Sequence, residues 1–223
     1  MATTARNRTV GYPPGWSTWD AHNNSYTLAH FELPAIPGTR LRVTRFGARY
    51  RAAFLYEGST FGAMGASTAR GYSRLVHLGL MFSAAESLKE ILQVHDRNTT
   101  NLLTLAERTT YRREIRRADR DNLIMTGVQR DTRRGTLVRA AVDAYLARGD
   151  ASIYLLAKAA RSAFVHGSLT PNIGGTTPLE LGQVVDTLND ALKTMMDQQF
   201  GGRMARFEAK YLAPGSPADG VLY

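Results

Sequence analysis

A guanidinium and an imidazole stand five residues apart, as Arg161 and His166, in a segment that runs from Leu155 to Asn172. Such a pair suits phosphoryl chemistry: the imidazole can take or give a proton, and the arginine can hold developing negative charge without losing its own proton. Ile153, Ala157, Ala160 and Phe164 recur at helical spacing before Gly167 and Pro171 interrupt the run, so a helix is expected to end just after His166. The imidazole would then sit in a last turn whose carbonyls favour positive charge. Five residues turn an ideal helix by about 140°. The two side chains therefore do not share a face within one chain, and a two-fold partner would supply the missing half of a composite site. The same spacing also suits a solvated arginine and a helix-end histidine satisfied by carbonyls.

Several elements must position that helix. Leu75, Leu78, Phe82, Ala85, Leu88 and Leu92 follow a three-four spacing, which predicts a helix from Tyr72 to His95. Asn98 or Thr100 would cap a second helix beginning near Leu102. Val138, Ala141, Val142, Tyr145 and Leu146 mark a third, ended by Gly149, with Asp150 capping the helix that carries Arg161 and His166. Thr177-Pro178-Leu179-Glu180 combines a threonine cap, a first-turn proline and a glutamate able to close a capping box, and an apolar stripe then runs from Leu181 to Met196. The N-terminal region reads differently. Gly11 to Asp20 mixes turn formers with Trp16 and Trp19, which would anchor it to the body. Tyr26–Leu33 and Arg40–Thr44 alternate partly at period two around Pro34, Pro37 and Gly38, which suits a pair of short strands, with Tyr50–Tyr56 as a third strand or a helical turn. Gly58 to Thr68 lacks the spacing of a phosphate-binding loop and reads as a linker. The expected fold class is thus mainly α: a helical bundle over residues 67–205, a small N-terminal appendage with short strands over 1–66, and a flexible tail over 206–223.

The chain has 223 residues and a formal charge of +9, carried mainly by arginine, which attracts polyanions and makes their binding salt-sensitive. The run Arg112, Arg113, Arg116, Arg117 and Arg120 would place two positive ridges on one helix and is the best candidate for capturing an RNA backbone, and Arg130, Arg133, Arg134 and Arg139 extend it. A solvated face tempered by Glu114 and Asp121 is the other reading of the same run. With no cysteine, the chain can form neither disulfides nor thiolate metal sites. The five histidines show no paired metal-ligand spacing, so no metal and no cofactor are expected. The N-terminal residues Met1 to Arg8 lack the apolar core of a secretory signal and no apolar run is long enough to span a membrane, which makes a cytoplasmic protein with no membrane partner the expectation.

Arg161 through Gly167, set in an apolar multi-helix run, resembles the Arg-x4-6-His signature of the HEPN superfamily. Its members are helical bundles and often metal-independent RNases. The resemblance covers roughly residues 70 to 200 in helix pattern, and its motif lies between Arg161 and His166. It implies an endoribonuclease in which the 2′-hydroxyl beside the scissile phosphate attacks, His166 moves the proton and Arg161 stabilises the phosphorane. It also implies a homodimer whose two Arg161 and two His166 share one cleft, with Ser162 orienting the arginine and Asn172 contacting RNA. A role as a toxin or an antiviral defence effector, restrained by an antitoxin or regulatory protein, belongs to the same expectation. One departure is visible: toxins paired with a nucleotidyltransferase antitoxin carry His-x-Tyr, where this chain has His166-Gly167-Ser168. The alternative is a non-catalytic module of the same fold that binds RNA, a nucleotide or a protein partner.

Overall fold

A computed structural model describes residues 10–214. Residues 1–9, read above for a secretory signal, and 215–223, the end of the expected tail, lie outside the described residues. Among the described residues the chain is helical throughout, with nine α-helices and no strand. They are α1 (Trp16–His22), α2 (Thr39–Phe54), α3 (Ala66–Ile91), α4 (Leu105–Ala118), α5 (Leu123–Asp131), α6 (Leu137–Leu146), α7 (Ile153–Val165), α8 (Pro178–Met196) and α9 (Gly202–Phe207). None is long and apolar enough to cross a membrane.

α3 is the spine. It packs along α8 on one side and α2 on another, and presents Leu75, Leu78, Phe82, Ala85 and Leu88 to the core as their spacing predicts. α4 leans on α8, while α7 is enclosed by α3, α5, α6 and α8. A single apolar core runs from Trp16 to Phe207 and crosses the expected boundary at residue 66. At the far end α8 continues through a π-helical turn, Asp197–Gly201, into α9. Phe207 is buried there and Tyr211 packs against it, so residues 206–212 belong to the helical body.

The expected strands are absent. Leu28–Phe31 is a short 3-10 turn, and Arg40–Thr44 and Tyr50–Phe54 both fall within the single helix α2. The reason is visible in what α2 buries: Val43, Phe46, Gly47, Tyr50 and Ala53 lie on one face at helical spacing, while Leu41 points to solvent among arginines and creates a false alternation. Gly47 is needed for contact, since a Cβ there would overlap the Trp16 ring. Both tryptophans are buried: Trp16 stacks on Tyr12 with ring centroids 4.6 Å apart, and Trp19 meets Phe31 edge-on at 5.1 Å.

Three helix starts also differ from expectation. α3 begins at Ala66, inside the expected linker and ahead of Tyr72, and ends at Ile91 rather than His95. Asp96–Leu102 forms a 3-10 turn, and α4 begins at Leu105 behind Thr104, which closes a capping box with Glu107. α7 is capped by Ser152, whose hydroxyl accepts the Leu155 N–H and also bonds Thr99 at 2.9 Å. Asp150 is instead claimed by the side chains of Arg108, at 3.1 Å, and Arg112. The α8 start matches the sequence reading fully, with Thr177 as cap, Pro178 in the first turn and Glu180 closing the box.

Asp150 holds α4 against the start of α7 through those two mostly buried arginines. The hydrogen bond from Arg108 and the charge of both arginines hold its carboxyl below the ordinary value of 3.8. A depressed carboxyl pKa contributes stability above the unfolded-state value and loses it as pH falls through the folded-state value. Because the Asp150 side chain is 46% exposed and its ion pairs are screened by solvent, Asp150→Asn is expected to destabilise the fold by about 1 kcal/mol at neutral pH. Urea melts across pH should show the gap to wild type closing as pH drops below 3.8.

Candidate functional site

α7 is made to be enclosed. Ile153, Leu156, Ala157, Ala159, Ala160 and Ala163 are buried, and the alanines let neighbouring helices approach closely. What α7 leaves to solvent is a narrow line at three-four spacing: Lys158, Arg161 and Val165, the last 60% exposed. Lys158 is committed to Asp96, at 2.7 Å, which also holds Lys89 of α3. Arg161 is exposed, and its side chain makes no hydrogen bond or ion pair within the described residues. Ser162 is half-buried and does not bond to it.

The end of α7 is fixed by backbone geometry. The Ser168 N–H donates to the Ala163 carbonyl at 2.9 Å and the Gly167 N–H to the Phe164 carbonyl at 2.9 Å, the two bonds of a Schellman turn. Gly167 occupies the left-handed position at φ 78°, and His166 is the C-cap. These bonds already occupy the last-turn carbonyls, so the exposed imidazole of His166 is not tied to its own helix end. Beyond the turn Leu169 plunges into the core, Pro171 packs on Gly71, and Ile173 lies against Gly127 in the space a Cβ would fill. His166 thus projects from a turn anchored on both sides. Asn172 is exposed just before the short 3-10 turn Ile173–Gly175.

The arginine run divides. Arg112 is only 7% exposed and serves the Asp150 contact. Arg116 turns inward, donating to the Tyr145 carbonyl at 3.2 Å and lying over the Tyr145 ring. Arg113 and Arg117, one helical turn apart, are exposed, as is Arg120 in the turn beyond. The expected ridge through Arg120 does not form because α4 stops at Ala118. There Asp119 is buried and accepts the backbone N–H groups of Ile124, at 3.0 Å, and Met125, at 2.9 Å, so one carboxylate ends α4 and starts α5. Gly127 accordingly lies within α5.

Two clefts open beside the α7 turn. One, of about 470 Å³, is lined by Leu123, Thr126, Gly127, Arg130, Asp131, Ser168 and Ile173. The other, of about 560 Å³, shares Arg130 and Asp131 with it and adds Arg133, Arg134 and Arg139. Arg139 is occupied by Asp143, at 2.8 Å, and by the Gln129 carbonyl, whereas Arg130, Arg133 and Arg134 are exposed without a partner among the described residues. Nothing in the spacing of Asp131 and Ser168 announces that they meet, yet the Ser168 hydroxyl donates to Asp131 Oδ1 at 2.7 Å.

His77, whose surroundings include Asp186 and Asp190, has a structural task. It bonds the Ala53 carbonyl at 3.1 Å and faces Asn189 at 3.4 Å, joining α2, α3 and α8, and burial pushes its pKa down. Compared with models of protein families, with curated proteins and with solved structures, the chain matches none.

The left-handed Gly167 lies in open space, so a side chain there is opposed by backbone conformation alone. Gly167→Ala is expected to cost about 1 kcal/mol in urea unfolding, with Gly167→Asn recovering most of the loss because asparagine tolerates this region.

Proposed function

We propose that this protein is a metal-independent endoribonuclease of the HEPN type, acting as a homodimer through Arg161 and His166. The observation that carries the reading is the freedom of these two side chains: on the most enclosed helix of the bundle, an uncommitted guanidinium and an uncommitted imidazole occupy the exposed line and the anchored end. Within one chain they are offset by about 140° and about 7.5 Å of helical rise, so the site is completed by a two-fold partner whose α7 meets the first. The 2′-hydroxyl of RNA attacks the adjacent phosphorus, its proton passes to one His166, and Arg161 offsets the phosphorane charge. The bond to the 5′-oxygen then breaks as that oxygen takes a proton, leaving a 2′,3′-cyclic phosphate and a 5′-hydroxyl. Arg113, Arg117 and Arg120 hold the RNA backbone, with Arg112 and Arg116 supporting α4 beneath them. Ser162 and Asn172 flank the site. Toxicity or antiviral defence, under the control of an antitoxin or regulatory protein, is the biological setting that the HEPN resemblance supports.

A non-catalytic RNA-binding module is the second reading, favoured by the placing of the exposed arginine stripe on α4 rather than on α7. Incubating purified protein with RNA in excess EDTA separates the two. Cyclic-phosphate ends are expected from the wild type, with rates reduced about 10²–10⁴-fold in His166→Ala and in Arg161→Ala. Intact RNA in the wild type, with binding retained, leaves the module.

In the same binding assay, replacing Arg113, Arg117 and Arg120 together with alanine is expected to lower the slope of log K against log salt by about 2, from about 0.7 per single-strand phosphate. An unchanged slope places the RNA elsewhere.

A further inference from the structure

The cleft between α5 and the turn after His166 carries more information than its charge. Its lining is apolar at Leu123 and Ile173, which offer surface to the face of a flat ring, and polar at Thr126, Asp131 and Ser168. Leu123 is 41% exposed at the first position of α5, so its side chain is open to a ligand in the cleft. Asp131 is half-buried, and its Oδ2 and the second lone pair of Oδ1 have no partner among the described residues, because Ser168 takes only one position on Oδ1. Arg130 stands where this cleft joins the basic one, which Arg133 and Arg134 line in turn. At about 470 Å³ the cleft falls within the range of about 300–1,000 Å³ typical of small-molecule sites. Ser168 is two residues from His166, so their α-carbons lie within about 7 Å.

The geometry points to this cleft as a nucleobase pocket that selects guanine. The inference rests on the reading of the α7 end as an RNA site, and it names the base that the site recognises. An ionised carboxylate only accepts hydrogen bonds, so it binds a base edge that offers two adjacent donors and repels one that places an acceptor beside a donor. Guanine alone presents such an edge, N1–H next to the N2 amino group. Adenine and cytosine each set a ring nitrogen acceptor beside their amino group, and uracil flanks its one N–H with two carbonyls. Single-stranded RNA is read on these edges when a base is splayed out and packed by its face, here against Leu123 and Ile173. Arg130, Arg133 and Arg134 then take the phosphates that follow, and His166 sits at the phosphate beside the selected guanosine. A bound phosphate alone is a poorer occupant, since Asp131 would repel it.

The test is binding of the 5′-monophosphates of guanosine, inosine, adenosine, cytidine and uridine to the full-length protein, read by calorimetry or by NMR shift titration, neither of which needs cleavage. Guanosine monophosphate is expected to bind about tenfold more tightly than inosine monophosphate, which lacks the N2 amino group, and by more than that over the other three. Asp131→Asn, which puts a donor where an acceptor is needed, is expected to erase the preference. Leu123→Ala, at an exposed position, is expected to weaken all five alike while keeping guanosine first. Equal binding of the five by the wild type, or a guanine preference that survives Asp131→Asn, overturns the pocket. Guanine selection by a protein that leaves RNA uncut keeps the pocket and removes the nuclease reading, and cleavage without base preference does the reverse.

Discussion

The burial of α7 is the constraint to which the other elements answer. Its sequence is almost entirely apolar, and its alanines provide little bulk, so it is stable only where several helices close upon it at short range. α3 and α8 supply two walls, α5 and α6 a third, and the caps at Ser152 and Gly167 settle the polar groups at both ends. Once that enclosure is made, nearly every position on α7 is occupied by packing. The line through Arg161 and the end at His166 are what remains for contact with anything outside the fold.

Charge is distributed by the same logic. Eight ion pairs among the described residues draw on only six carboxylates, because Asp96 and Asp150 each serve two cations. Those shared carboxylates sit at helix junctions, joining α3 to α7 and α4 to the loop before α7. Acidic groups are thus concentrated where the fold needs ties, and the surplus of arginine is left on surfaces facing solvent. Mutual repulsion among Arg113, Arg117, Arg120, Arg130, Arg133 and Arg134 is tolerable because each is exposed and screened by salt. A polyanion would relieve it further.

Polar groups that look reactive by type are often committed to architecture here. His77 links three helices through the Ala53 carbonyl and Asn189, and Tyr50 donates to Asp197 at 2.6 Å, fastening α2 to the π turn after α8. Asp119, pushed up by burial and restrained by backbone N–H groups, is a helix start in side-chain form. By contrast Arg161 and His166 have no such task, which they share with the exposed arginines of α4 and of the clefts beside α5.

Features governed by near neighbours in the chain were legible from residue order. The three-four apolar spacing of α3 and α8, the threonine box at Thr177 and the glycine stop after His166 all act within a turn or two of helix, where local sterics and hydrogen bonding decide the outcome. Thr104 with Glu107 carries the same box, but the expected cap at Asn98 or Thr100 misses it, and α4 starts at Leu105 rather than near Leu102. The short strands expected before residue 57 failed because period two and period 3.6 are hard to tell apart over five or six residues, and Trp16 packing on Gly47 decided for helix. Which arginines of α4 face the protein, and that Asp131 meets Ser168 across 37 positions, depended on how distant helices dock. Residue order sets what each segment can form, whereas the faces and meetings of side chains follow from long-range packing, because only burial against a partner distinguishes one side of a helix from another.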